Sequence, residues 1–248
     1  MTIGLFFKKV IKAVLPYGLL KLFRYYKSQK LLSYCPICKK TGNFKRFGVR
    51  PRPNAQCPHC GSVERHRLLW IFLQKHTDIF KKDNKKILHV AAEPFLAEKL
   101  TKIYGENYLT ADLFNPRAMV KMDITDIQYS NNTFDVIICN HVLEHVIDDA
   151  KAIREFCRVL KSTGWAILLV PIKQSLEKTY EDYSITTEAG RLEAFGQGDH
   201  VRYYGRDYVD RLKSGGFKVR ITGTNELAKE KEIKKMKLSK ENIYYCHK

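Results

Sequence analysis

The first 63 residues contain no aspartate and no glutamate, although they hold 13 lysines and arginines. The first acid is Glu64, and of the formal net charge of +18 the remainder of the chain carries only +5. A basic character confined to one quarter of the chain argues against an evenly cationic catalytic body. It points to an anionic partner for the N-terminal part, either a membrane surface or nucleic acid. Long apolar runs are also missing. No uncharged stretch reaches 18 residues, so no membrane-spanning helix is expected. A secretory signal is not expected either, because Lys12 and Pro16 interrupt the first apolar stretch and Lys21, Arg24 and Lys27 follow it. The expected location is the cytoplasm, with peripheral contact at the inner face of the membrane as an option.

What is present suffices for one α/β domain and a small module: 248 residues, 44% of them hydrophobic. Ile3, Phe6, Phe7, Val10, Ile11 and Val14 follow helical spacing, with Lys8, Lys9 and Lys12 at other positions. Residues 1–34 are therefore expected to form a basic amphipathic segment, divided at Pro16. Such a segment can lie in an anionic membrane interface, pack on the body of the protein, or hold RNA phosphates.

Four of the seven cysteines form two CxxC pairs, Cys35-Pro36-Ile37-Cys38 and Cys57-Pro58-His59-Cys60. Inside a cell this spacing reads as a structural four-thiolate zinc site, with Cys35, Cys38, Cys57 and Cys60 as ligands. Gly61 suits the unusual backbone angle that follows a knuckle. Residues 35–67 are then a zinc ribbon, too small to fold on apolar burial alone, with a hairpin between the knuckles. His59 and His66 are spare ligands that four cysteines make unnecessary. Cys139, Cys157 and Cys246 lie in apolar stretches and read as buried thiols. Glu64-Arg65-His66-Arg67 either forms surface ion pairs or presents its cations to an anionic substrate. Residues 68–84 read as a connecting helix and linker, and residues 85–248 as the main domain.

The most informative stretch is 134–171. Phe134-Asp135-Val136-Ile137-Ile138-Cys139 reads as a buried strand, Asn140-His141-Val142-Leu143-Glu144-His145 as an elbow, 148–161 as an amphipathic helix, and Gly164 to Pro171 as a turn and second strand. On that helix Ala150, Ile153, Phe156, Cys157 and Leu160 read as the packed face. One parallel βαβ unit results, with Asn140 and His141 at the carboxyl edge, where open α/β sheets bind ligands. Asp135, at the other end of the strand, reads as structural. Ile87–Ala91, Tyr108–Asp112 and Met119–Ile124 supply three more strands, and a helix opened by Pro94 follows the first. Residues 172–200 form an insertion at the substrate edge. Helix 206–214, strand Phe217–Thr222, a solvated Lys/Glu helix over 226–241 and an antiparallel strand Ile243–Cys246 complete the domain.

The 134–171 wording resembles the class I S-adenosylmethionine-dependent methyltransferases. A zinc module ending CGSxERHR ahead of such a domain also resembles a bacterial group found among surface-polysaccharide proteins. The resemblance implies a Rossmann-like sheet in the order 3-2-1-4-5-7-6, last strand antiparallel, and S-adenosylmethionine as cofactor. It assigns Asp112 to the ribose, Asp123 to the adenine, and Asn140 and His141 to the methionine portion. The family's glycine-rich turn is replaced here by His89-Val90-Ala91-Ala92-Glu93-Pro94-Phe95. A sulfonium cofactor has no phosphate to cradle, so small Ala91 can let the methionine portion approach, and Glu93 can meet its ammonium. A hydroxyl or amine acceptor needs a base, for which His200 is the first candidate and His141 the next; His145 reads as structural. The expected acceptor is a sugar or anionic group of a surface glycan or lipid-linked precursor. The alternatives are RNA held by the ribbon and the basic arm, and a non-catalytic zinc scaffold.

Overall fold

The computed structural model describes residues 32–49 and 51–248. The amphipathic segment expected before residue 32 lies outside the described residues. The N-terminal module consists of two short antiparallel ribbons. Strands β1 (Ser33–Tyr34) and β2 (Thr41–Gly42) pair around the first knuckle, and β3 (Lys45–Phe47) and β4 (Arg52–Gln56) form the expected hairpin. Lys39 and Gly61, each directly after the second cysteine of its knuckle, take left-handed backbone angles of 58° and 71°. The module has its own small core of Cys35, Phe44 and Cys57, separate from the main one.

Helix α1 (Glu64–His76) starts four residues before the expected connecting helix. His66 is not a metal ligand but the helix's capping residue, its Nδ1 accepting from the Val63 amide at 3.4 Å. Arg67 departs furthest from expectation. It neither lies on the surface nor faces a substrate; it is 0% exposed. Its guanidinium donates to the carbonyls of Ser62 (2.8 Å), Ala55 (3.0 Å), Lys237 (2.8 Å) and Met236 (2.7 Å). It thereby ties the cysteine module to the C-terminal region. Arginine can do this because its fixed fork carries five donors and no acceptor.

The main domain is a seven-stranded sheet of β5 (Ile87–Val90), β6 (Tyr108–Asp112), β7 (Val120–Lys121), β8 (Phe134–Asn140), β9 (Leu160–Leu169), β12 (Lys218–Gly223) and β13 (Asn242–His247); β10 (Tyr180–Glu181) and β11 (Arg202–Tyr203) pair separately. The sheet order is β7-β6-β5-β8-β9-β13-β12, with β13 antiparallel to both neighbours. In domain terms this is 3-2-1-4-5-7-6, the expected order and that of the Rossmann-like methyltransferase fold. β5, β8 and the second half of β9 are buried on both faces, which is why they read as continuous apolar runs. The third strand is shorter than expected, two residues rather than six.

Helices α2 (Pro94–Tyr104) and α3 (Asp149–Val159) are the first crossovers. The buried face of α3 is Asp149, Ala152, Ile153, Phe156 and Val159, so Ala150 is on the solvent side, contrary to the expected packing. α3 also ends at Val159, and Leu160 already pairs with Phe134 across the sheet. Gly164 is required inside β9, because a Cβ there would meet the Asp135 carbonyl oxygen at 2.7 Å. Asp135 accepts from the Lys86 amide and from Lys161 at the amino edge. Helices α4 (Glu188–Phe195) and α5 (Tyr208–Ser214) follow. The expected Lys/Glu helix is two short ones, α6 (Thr224–Leu227) and α7 (Glu230–Met236), anchored by buried Leu227 and Ile233. Among the described residues no helix is long and apolar enough to cross a membrane.

Candidate active site

Two non-glycine residues sit in the left-handed region at the carboxyl edge: Ala91 after β5 (φ 48°) and His141 after β8 (φ 56°). Such strain persists where surrounding structure fixes it, and it clusters at ligand sites. Here the fixing bonds are Ala91 N to the Ala111 carbonyl (2.9 Å) and His141 N to the Leu169 carbonyl (2.7 Å). The two turns flank the crevice between the first and fourth strands of the domain.

Glu93 lies in this crevice, its side chain 12% exposed. One carboxylate oxygen accepts from Asn140 Nδ2 at 3.0 Å and the other meets His89 Nε2 at 2.8 Å. On its far side His89 Nδ1 lies 2.8 Å from the Tyr108 hydroxyl. Burial pushes that phenol's pKa up. Burial also works to raise the Glu93 pKa. The hydrogen bond and charge of His89, with His66 and Asn140, outweigh it and hold the carboxyl at about 2. The crevice thus contains a fixed carboxylate whose ion-pair partner is an imidazole, with no Lys or Arg against it among the described residues. Because this pKa lies below the ordinary 4.5, Glu93 stabilises the fold above that pH, and the contribution fades as pH falls toward 2. Glu93→Gln should narrow the stability gap between about pH 6 and about pH 2 by on the order of 3 kcal/mol, from about 1.4 kcal/mol per unit. Urea titrations of both proteins at the two pH values measure it.

Asp112 ends β6 at the same edge. Its Oδ1 accepts from the amides of Phe114 (2.8 Å) and Asn115 (2.9 Å), which makes it a turn residue as well. Its other oxygen has no such bond, and Phe114 beside it is 88% exposed. Asp123 Oδ1 is taken up by the Thr125 amide and hydroxyl, both at 2.8 Å. Asp123 lines a separate cavity of about 390 Å³ with Lys121 and Gln128.

A larger cavity of about 870 Å³ opens beside the fourth strand. Its walls come from the β3–β4 hairpin (Phe47, Val49, Arg52), the start of α1 (Glu64, Arg65), the post-β8 turn (His141, Glu144, His145), the insertion (Gln197, Asp199, His200, Tyr203) and the segment 238–241. His141 is the one residue expected at the cofactor that also lines this cavity. His141 Nδ1 faces Glu144 Oε1 at 3.4 Å, and the His145 and His200 rings meet edge-on at 4.7 Å. Burial lowers the His200 pKa, partly offset by Glu144 and reinforced by His145. The pairing of Arg52 with Glu64 at 3.0 Å neutralises the arginine that the hairpin contributes.

A residue without any sequence signal shapes this cavity. Arg202, 0% exposed, donates to the carbonyls of Leu143 (2.9 Å), Val146 and Ile147 (2.7 Å) and to Glu181 Oε2 (2.8 Å). It grips the turn that carries Glu144 and His145. Arg211, through Asp149 at 2.6 Å, and Tyr204, through the same carboxylate at 2.7 Å, extend the network.

In the cysteine module the four sulfurs lie within 4.8 Å of one another, with Cys35–Cys60 at 3.6 Å and Cys38–Cys57 at 3.7 Å, and none is in a disulfide. Four sulfurs at about 2.3 Å from one tetrahedral ion would be about 3.8 Å apart. His59 faces the Thr41 carbonyl instead.

Residues 90–168 match the family model described as a methyltransferase domain. Over 89 residues the chain is 37% identical to the ubiquinone/menaquinone biosynthesis C-methyltransferase UbiE of Klebsiella pneumoniae, a stretch covering 34% of this chain and 35% of that protein. An uncharacterized protein of Methanocaldococcus jannaschii is 40% identical over 65 residues, 25% of this chain and 28% of that one. The chain thus spans about a third of the length of these curated relatives. Among solved structures, an S-adenosylmethionine dependent methyltransferase from Mesorhizobium loti superimposes with a TM-score of 0.49 at 13% identity, covering 73% of this chain and 98% of that one.

Proposed function

We propose that this protein is an S-adenosylmethionine-dependent methyltransferase whose acceptor is a hydroxyl of a glycan or lipid-linked sugar. The observation that carries the cofactor reading is the ionised, half-buried Glu93 at the carboxyl edge, which has no Lys or Arg partner among the described residues. An ammonium group is the ligand chemistry that such a carboxylate favours. Ala91 and Asn140 border the same crevice, and Asp112, at the end of the strand next to β5, keeps one oxygen for ribose hydroxyls. Asp123 is proposed for the adenine, at the outer end. The methyltransferase-domain match over residues 90–168 supports the reading independently. When bound, the cofactor supplies an electrophilic methyl group on a neutral leaving group. The protein's task is mainly alignment, a contribution that can reach roughly 7–11 kcal/mol.

The acceptor reading rests on the 870 Å³ cavity, whose wall offers three imidazoles, four carboxylates, an amide and a phenol. These groups offer hydrogen-bond partners to a polyhydroxyl compound. His141 and His200 are the proposed acceptors of the substrate proton. Glu144 beside His141 Nδ1 orients that ring and leaves Nε2 as its acceptor. The four cysteines are proposed to hold a structural zinc ion, which stiffens one wall of the cavity.

Incubation with methyl-labelled S-adenosylmethionine and fractionated cell material, with Asp112→Ala as control, tests the assignment. Label in the glycan or lipid fraction supports it. Label in RNA would replace the acceptor, and no label with no cofactor binding would leave a scaffold.

A further inference from the structure

His200 is 4% exposed, and its buried Nδ1 has no hydrogen-bond partner among the described residues. Glu144, 1% exposed, spends Oε1 on His141 and leaves Oε2 buried without a partner. Buried imidazole and carboxylate atoms are costly unless something satisfies them. Both line the 870 Å³ cavity, and together with His145 they bring one donor atom each to within 4.8 Å of one another.

We propose that Glu144, His145 and His200 form a second metal site, which holds a divalent transition-metal ion in the wall of the acceptor cavity. Two imidazoles and one carboxylate suit manganese, iron, cobalt, nickel or zinc, and they leave coordination positions open. His145 is already arranged as a ligand. Its Nδ1 faces the Asp199 carboxylate and carbonyl, both at 3.2 Å, which leaves Nε2 as the lone pair for the ion. The Val201 amide donates to the Glu144 carbonyl at 2.9 Å and so holds His200 beside the Glu144 turn. The Arg202 clamp on the carbonyls of Leu143, Val146 and Ile147 fixes that turn from the other side. Donors bonded at about 2.1 Å to one ion lie roughly 3.0–3.5 Å apart, so small side-chain rotations close the site. The open positions face the cavity and would take acceptor oxygens. In the loaded protein His200 gives its lone pair to the ion, and His141 remains to accept the proton.

Metal binding is read without cofactor or acceptor, so its failure and the failure of the methyl-transfer reading are separable. The full-length protein, carrying one equivalent of zinc for its cysteines, is titrated with Co²⁺ and followed by visible absorption. The expected result is saturation at one further ion per chain, with weak d–d bands and no thiolate charge-transfer band. Glu144→Gln and His145→Ala should each weaken Co²⁺ binding at least about 10-fold, and Asp199→Asn by about 10-fold, with circular dichroism confirming the fold. His145→Ala alters a partly exposed side chain and serves if Glu144→Gln does not fold. No saturable binding beyond the cysteines, bands of thiolate character alone, or equal binding by folded His145→Ala would overturn the proposal.

Discussion

Replacing Arg202 by methionine is expected to be among the most damaging single changes in this protein. Methionine keeps much of the buried volume but removes every donor. The buried Leu143 carbonyl and the partly buried carbonyls of Val146 and Ile147 and carboxylate of Glu181 would each lose a partner. Removing one partner of a buried charge pair costs about 3–5 kcal/mol, a large part of a total stability of about 5–15 kcal/mol. The damage should also be local, because the gripped turn carries Glu144 and His145 and feeds Asp149 at the start of α3. Urea denaturation should show the stability loss, and amide exchange should show early opening of residues 141–149. A loss within about 1 kcal/mol of wild type would mean that the neighbouring Arg211–Asp149–Tyr204 contacts hold the turn without it.

The second large effect is expected from removing the proposed zinc. Structural zinc in small modules contributes about 10–16 kcal/mol of binding free energy, and the core that Cys35, Phe44 and Cys57 can offer is far too small to replace it. Treatment with a strong chelator, or Cys57→Ser, should therefore release the module. Two of the four carbonyls that Arg67 holds, those of Ala55 and Ser62, belong to it, so the start of α1 should loosen too. The seven-stranded sheet has a separate core and should stay folded. Amide exchange mapped along the chain would show protection lost over 33–63 and kept over 87–169. Unchanged protection over 33–63 after chelation would contradict a structural ion.

These two predictions rest on residues that differ in how far the sequence reveals them. The cysteine module was legible because metal-ligand spacing is a local property. The sheet was legible because β5, β8 and β9 are buried on both faces, and β6 runs from Tyr108 to Asp112 as expected. Its order followed from resemblance to a known family rather than from any single residue. Arg67 and Arg202 were not legible. Each is buried by carbonyl groups that close around it from elements distant in sequence, Met236 and Lys237 in one case and the 143–147 turn in the other. Nothing in Glu64-Arg65-His66-Arg67 tells which arginine turns inward. The ends of elements were blurred for an ordinary reason: Leu160 to Thr163 carry helix-compatible residues, but pairing with β8 draws them into β9. The role of His89 was hidden because its partners, Tyr108 and Glu93, meet it only once β5 and β6 are side by side.

The central claim is that the crevice between the first and fourth strands takes a cationic amino-acid cofactor on Glu93 and its ribose on Asp112. Calorimetric titration of the purified protein with S-adenosylmethionine tests it most directly. The account predicts one site per chain, with binding weakened at least tenfold (about 1.4 kcal/mol) in both Glu93→Gln and Asp112→Ala and unchanged in His200→Ala. No detectable binding to the folded wild-type protein, or equal binding by Glu93→Gln and Asp112→Ala, would contradict it.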